Sequence, residues 1–343
     1  EQAEAGLLLG RYRRPIKVST LKSDRSRIET HIKPLLGVRL VSRLTLHDIE
    51  GMQADIAAGK SARGRKKGRG GSSTGGPGVA SRAISTLRAL LGHATRLGII
   101  GRNPAEGVRQ LAVGSRKRRL SEDEIHRLGR VMREAAAQGE HPTGLGAIRL
   151  MLLTGFRRME VLGLRRPWFS RSDHCIRFPD TKSGEQVRAL GEAAMDCIEA
   201  QATRAGSLFV FPADWGDGHF IGVVRVLDRV CRKAKLDGVT PHVLRHTFAS
   251  VAGDLGFSEL TIAGLLGHSA HGVTQRYVHL DTALVVAADR VSIEIAKMLG
   301  SEAPIGKPSK VEHVALPRED AAPQPVEDFN FSSLTIDFTH RQT

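Results

Sequence analysis

Apolar side chains recur at helical spacing from about residue 16. Leu21, Ile28, Ile32 and Leu35 predict a helix that Ser19 caps and that the Pro34–Gly37 region ends. Ile84, Leu87, Leu91 and Ala94 form a second stripe and predict a helix over Val79–Leu97. The stretch between them, GKSARGRKKGRGGSSTGGPG at 59–78, has no such stripe and too little apolar surface to pack, so a basic loop is expected there. Farther on, Ser121 and Glu124 have the spacing of a capping box at the start of another helix. CIRFPD and EQVRAL, joined by TKSG at 181–184, predict a β-hairpin. In TPHVLRHTF at 240–248, Thr240 is an N-cap and Pro241 suits the first helical position, while Gly267 closes a later helix. The expected fold is mostly α, with a small β-hairpin or sheet in an α+β second domain and an all-α domain before it.

Composition narrows the partner. The chain has 343 residues, with 51 Lys+Arg against 36 Asp+Glu, a formal charge of +15 and a pI of about 10.3. That length fits two domains, and that excess of positive charge points to an anionic partner, nucleic acid before acidic lipid. Aromatics make up only 4%, too few for a binder that stacks successive bases, so duplex DNA held through its phosphates fits better. The most apolar stretch, Leu145 to Phe156, is interrupted by Arg149 and is too short to span a bilayer. Cys175, Cys197 and Cys231 are widely spaced, with no CxxC pair to suggest zinc or a disulfide framework, so a reducing cytoplasm is the expected location. After about residue 300 the chain turns Pro-rich and acidic, with four Lys+Arg against seven Asp+Glu over 301–343.

Candidate chemistry rests on short motifs whose setting matters more than their spacing. His-x-x-Arg occurs at His93–Arg96, His174–Arg177 and His242–Arg245. Only the third lies in the first turn of a capped helix, where unpaired backbone N–H groups favour an anion. Arg157 follows Thr154–Gly155 and precedes Glu160, an ordinary helix pair when read alone. Lys182 lies in the hairpin turn, His268 follows Gly267, and Tyr277 is one of only two tyrosines. Basic residues that suit a DNA backbone are Lys60, Arg63, Arg65, Lys66, Lys67 and Arg69 in the loop, and Arg116, Lys117, Arg118 and Arg119 in the run GSRKRR at 114–119.

The ordered set TGFR, TKSG, HVLRH, LLGH and TQRY resembles the tyrosine recombinase (phage integrase) family over roughly residues 16 to 299. The resemblance implies Arg157, Lys182, His242, Arg245, His268 and Tyr277 as the catalytic set, with Tyr277 the nucleophile. It implies a core-binding domain at 16–113, including Asn103–Pro104, a linker at 114–119 and a catalytic domain at 120–299, flanked by a remnant at 1–15 and a tail at 300–343. The two domains are expected to form a C-shaped clamp on duplex DNA. The chemistry implied is cleavage and religation through a 3′-phosphotyrosine bond and a Holliday junction, with no cofactor, ATP or metal. A homo-tetramer is expected, with the segment after about residue 284 packing in trans, and accessory DNA-bending or directionality proteins are further candidate partners.

Arg158 and Met159 depart from the residues that usually follow the first arginine, and the basic insertion at 59–78 is longer than relatives lead one to expect. The 66 residues after Tyr277 favour an integrase of a prophage or mobile element over a chromosome-dimer resolvase, and the start at Glu1 leaves room for a missing arm-binding module. A type IB topoisomerase-like enzyme and a non-catalytic DNA-binding protein that keeps the fold are the alternatives.

Overall fold

The computed structural model describes residues 15–61, 75–112, 114, 118–181, 184–267 and 282–300. The chain divides into two compact units between Lys117 and Arg118.

The elements of the first unit, among its described residues, are all helices. α1 (Val18–Arg27) runs into a π-helical stretch at Ile28–Ile32 and then α2 (Lys33–Leu36), followed by α3 (Leu46–Ala57) and α4 (Pro77–Arg96). Ser19 lies inside α1 rather than capping it, and Lys17 precedes the helix with no side-chain cap. The helix ends at Leu36 with Gly37 as its C-cap, inside the Pro34–Gly37 region expected to end it, and the break does not fall at Pro34 itself. Pro34 lacks an N–H and would break a regular α ladder, but it sits in the first turn of α2, just after the chain has widened to π pitch. α3 begins with a capping box in which Thr45 and Asp48 satisfy each other's backbone N–H groups. Ile49, Met52 and Ile56 of α3 pack against Ala80, Ala83, Ile84, Leu87 and Leu91 of α4, with Ile32 and Leu36 closing the core.

The second unit wraps helices around α6. α5 (Glu122–Ala137) starts at the Ser121/Glu124 capping box, and α6 (Pro142–Thr154) is buried on nearly every side, with Ala147, Ile148, Leu150, Met151 and Leu152 all sealed from solvent. This is the apolar stretch of the sequence, used as a core helix. After the short α7 (Arg158–Leu162), three antiparallel strands follow in the order β1 (Phe169–Ser170), β2 (Cys175–Thr181) and β3 (Gly184–Ala189). Ile176 pairs with Arg188 and Phe178 with Gln186, and a bulge shifts the register between Phe178 and Thr181. α8 (Glu192–Glu199), α9 (Val223–Lys233), α10 (Pro241–Asp254), α11 (Glu259–Leu266) and α12 (Thr282–Met298) complete the unit. Among the described residues no helix is long and apolar enough to cross a membrane.

The segment after about residue 284 was expected to pack on a neighbouring protomer; its described part, 284–300, packs in cis through α12, and its remainder, 301–343, lies outside the described residues. Ala287, Val291 and Ile295 of α12, with Leu299 just beyond, are buried in the unit's own core against α6, α8 and α10. Apolar positions four residues apart put one face of α12 inside, and that face is already used.

Candidate active site

The turn that presents Arg157 is built from its backbone outward. α6 ends at Gly155, which takes the left-handed conformation (φ 63°). A Cβ there would lie 2.5 Å from the Phe248 ring, so both conformation and space require glycine. Thr154 Oγ1 donates to the Leu150 carbonyl at 2.6 Å and accepts from Phe156 N–H at 3.2 Å, which fixes the exit. The backbone N–H of Arg157 then donates to Glu160 Oε2 at 2.9 Å, and its guanidinium donates to Glu160 Oε1 at 2.7 Å. Glu160 is 11% exposed and Arg157 39%, so the carboxylate is an inner support and the guanidinium keeps an open side.

α10 supplies the second arginine. Thr240 caps it by accepting from Val243 N–H at 3.4 Å, and Pro241 occupies the first turn. Arg245 is buried and bridges two segments: Nη1 donates to the Gly155 carbonyl at 2.8 Å and Nη2 to the Leu266 carbonyl at 2.9 Å. Burial first, and then repulsion from Arg157, pull its pKa down to about 10, so it is still a cation at neutral pH. His242 lies three residues earlier on the same helix, its ring centroid 4.3 Å from that of His246. Desolvation, then His246, Arg245 and Arg157, lower its pKa below 6.5 and favour a neutral imidazole. These mutual effects place Arg157, His242 and Arg245 in one electrostatic neighbourhood.

A fourth group in that neighbourhood went unnoticed in the sequence. Arg188 of β3 is 2% exposed, and its guanidinium reaches Glu160 Oε1 at 3.7 Å. A basic residue in a short strand carries no signal of burial, and two of its partners, Glu160 and the Leu265 carbonyl, lie far away in sequence.

Of the expected catalytic residues, the structure brings together Arg157, His242 and Arg245. Lys182, His268 and Tyr277 lie outside the described residues, as do Arg63, Arg65, Lys66, Lys67, Arg69, Arg116 and Lys117. The three remaining basic candidates are ion-paired. Lys60 meets Asp55 at 2.6 Å, and Arg119 meets Asp254 at 2.9 Å, both at exposed positions. Arg118 donates to both carboxylate oxygens of Glu124 at 2.6 and 2.7 Å, which fastens the chain to the start of α5. The first unit adds a basic cleft of about 400 Å³ lined in part by Lys22, Arg27, His31 and Arg82, which the sequence did not reveal because it joins α1 to α4. Among the described residues, no group of three or more His, Cys, Asp or Glu side chains is placed to hold a metal ion.

Residues 118–283 match the family model described as the phage integrase family, starting where the second unit starts. The chain is similar to the tyrosine recombinase XerC of Pelobacter propionicus, at 29% identity over 213 residues, covering 58% of this chain and 68% of that protein. It is also similar to XerD of Brucella suis, at 33% identity over 162 residues, covering 43% of this chain and 52% of that protein. The chain thus spans about half to two thirds of the length of these relatives. A lambda integrase dimer bound to a COC′ core site shares the fold with a TM-score of 0.58 at 20% identity, covering 74% of this chain and 89% of that one. The Tn1549 transposon integrase in complex with circular intermediate DNA does so with a TM-score of 0.56 at 18% identity, covering 81% and 95%. The second unit is a site-specific recombinase domain. That unit, residues 118–283 of which match the family model, belongs to the tyrosine recombinase, or phage integrase, family.

Proposed function

We propose that this protein is the integrase of a prophage or integrative element, which cuts and rejoins specific duplex sites through a 3′-phosphotyrosine intermediate. What supports this reading is that Arg157, Arg245 and His242 of the second unit lie close enough to shift one another electrostatically, with the His242 pKa lowered below 6.5. A phosphodiester gains negative charge as a phenolate attacks, so two guanidiniums aimed at the nonbridging oxygens stabilise the transition state more than the ground state. Tyr277 Oη forms the bond to phosphorus while the bond to the 5′ oxygen breaks. The tyrosine proton, held at a pKa near 10 in the free side chain, passes toward neutral His242, and Lys182 protonates the leaving oxygen. His268 hydrogen-bonds the phosphate. The phosphotyrosine link retains the energy of the broken bond, so a second strand's 5′ hydroxyl reverses the step without ATP.

Duplex DNA is the partner that the +15 charge favours. Lys60, Arg63, Arg65, Lys66, Lys67, Arg69, Arg116, Lys117 and Arg119 are assigned to the backbone, with Lys22 and Arg82 of the cleft added. Arg118 serves as an anchor of the linker. A lambda integrase tetramer bound to a Holliday junction, a neighbour in fold with a TM-score of 0.55, supports a tetramer as the working form. The segment assigned to dock in trans is 301–343, which lies outside the described residues.

Covalent trapping tests the reading. On a nicked duplex built from the end of the element that encodes this chain, the protein is expected to form an adduct that survives denaturant, and Tyr277→Phe is expected to form none. An adduct in the Phe variant would reject the nucleophile. Relaxation of supercoiled plasmid lacking any element end, at a rate equal to that on a plasmid carrying one, would favour the topoisomerase alternative.

A further inference from the structure

Arg188 is among the largest fully buried side chains of the protein, and it carries a charge. Its partners come from its own strand and from two segments distant in sequence. Nε and Nη2 donate to Gln186 Oε1 at 3.1 and 2.6 Å, Nη1 donates to the Leu265 carbonyl at 3.2 Å, and Nη2 stands 3.7 Å from Glu160 Oε1. The guanidinium also lies over the Phe156 ring, 5.7 Å from its centroid. Phe156 and Glu160 belong to the turn that presents Arg157, and Leu265 belongs to the end of α11. Gly267, which terminates α11 with φ 61°, has no room for a side chain: a Cβ there would lie 1.6 Å from the Arg188 guanidinium carbon. The chain at this helix end is thus shaped around Arg188, immediately before His268. Arg245 spans the same two segments through the neighbouring carbonyls of Gly155 and Leu266. Glu160 Oε1 receives Arg157 at 2.7 Å on one side and faces Arg188 on the other.

We propose that Arg188 is a positioning residue of the recombinase site. Its buried guanidinium holds Glu160, and through it Arg157, in register with the end of α11. Nε, Nη1 and Nη2 of Arg188 are all engaged, by Gln186, the Leu265 carbonyl and Glu160, and the role assigned to it is to act through these groups rather than on DNA. This role rests on the recombinase reading above, and two measurements on the full chain separate the two ideas.

The first measurement needs no DNA. The side-chain Nε–H resonances of Arg157 and Arg245 are followed in protein labelled with ¹⁵N-arginine and assigned with Arg157→Lys and Arg245→Lys. Arg188→Met is expected to shift or broaden both while leaving those of Arg171 and Arg229, whose partners lie elsewhere, in place. Unmoved Arg157 and Arg245 resonances overturn the proposal, whatever the protein does with DNA. The second measurement compares single-turnover adduct formation with duplex affinity. Arg188→Met is expected to slow the adduct by about ten-fold or more with affinity changed less than about two-fold, as a misplaced but intact clamp would. Arg188→Lys is expected to recover part of the rate, since it keeps the charge and one donor. Loss of affinity in step with rate overturns positioning in favour of a general loss of structure. Wild-type protein that forms no adduct defeats the functional reading, while the resonances still decide the role of Arg188. Should Arg188→Met fail to fold, Arg188→Lys and Arg188→Gln carry the same comparisons.

Discussion

Buried cations explain the company they keep. A guanidinium taken out of water loses several kcal/mol of hydration unless hydrogen bonds and opposite charge replace it. Arg245 meets this with two backbone carbonyls, and Arg188 with a carbonyl, an amide oxygen, an aromatic face and Glu160. Each pKa is pushed down to about 10, which still leaves about one group in a thousand neutral at pH 7. The cysteines move the other way, since burial raises Cys197 to about 12 and Cys231 to about 11, so neither thiol is a competing nucleophile at neutral pH. His242 is a group of the site whose charge changes on the acid side of neutrality. Because its pKa lies below 6.5, it is neutral at pH 7 and gains a proton only as pH falls through that lowered value. Protonation removes its acceptor nitrogen, so single-turnover cleavage is expected to decline on the acid side with a midpoint below pH 6.5, and this limb is expected to vanish in His242→Gln. A midpoint at or above 6.5, or a limb that survives the substitution, would remove His242 from proton transfer.

Elements are held in place by pairs that behave differently with pH. Glu140, between α5 and α6, accepts from Arg229 of α9 at 2.8 and 2.7 Å, and this bidentate pair holds its carboxyl at about 2. A carboxylate whose folded pKa is depressed contributes stability above its unfolded value of 4.5 and loses that contribution as pH falls toward 2. Arg229→Gln is therefore expected to lower stability by about 1 kcal/mol at pH 7. The gap to wild type should close between pH 4.5 and 2 in chemical denaturation followed by circular dichroism, and a gap independent of pH would assign the loss to packing. The same scale shows what the sequence can say. The Ser121, Thr240 and Gly267 helix ends and the hairpin strands were readable because each rests on residues within a few positions of one another. The end of the first helix at Gly37 was readable too, whereas the π-helical stretch before Pro34 was not, since a change of pitch leaves no mark in composition. Within the site, Arg157, His242 and Arg245 were readable from ordered motifs, whereas Arg188 was not, because Leu265 stands 77 residues away and no local pattern announces the bond.

At the scale of the whole molecule, α12 decides where a neighbour can be engaged. Its apolar face closes the core of the second unit, and the backbone N–H of Glu192 at the start of α8 donates to Asp289 of α12 at 2.9 Å. Leu299, just past the helix, packs against Gly129 of α5, where a Cβ would meet the Leu299 carbonyl at 2.3 Å. A truncation at 284 would therefore remove core residues and confound any assay of assembly. Removal of 301–343 leaves this packing intact and takes away a segment of opposite charge, four basic against seven acidic residues. Thermal unfolding of the truncated chain is expected to stay within about 2 °C of the full chain, and a larger drop would show that the tail packs on the folded units. If the tail joins protomers, the truncated chain should still bind a single duplex site while tetramers on paired sites disappear from sizing chromatography with light scattering. Tetramers that persist would move the interprotomer contact onto the folded surface of the second unit. Tighter binding of the truncated chain to any duplex would instead identify the acidic segment as a competitor for the basic surface, since fewer counter-charges near that surface strengthen its hold on phosphate.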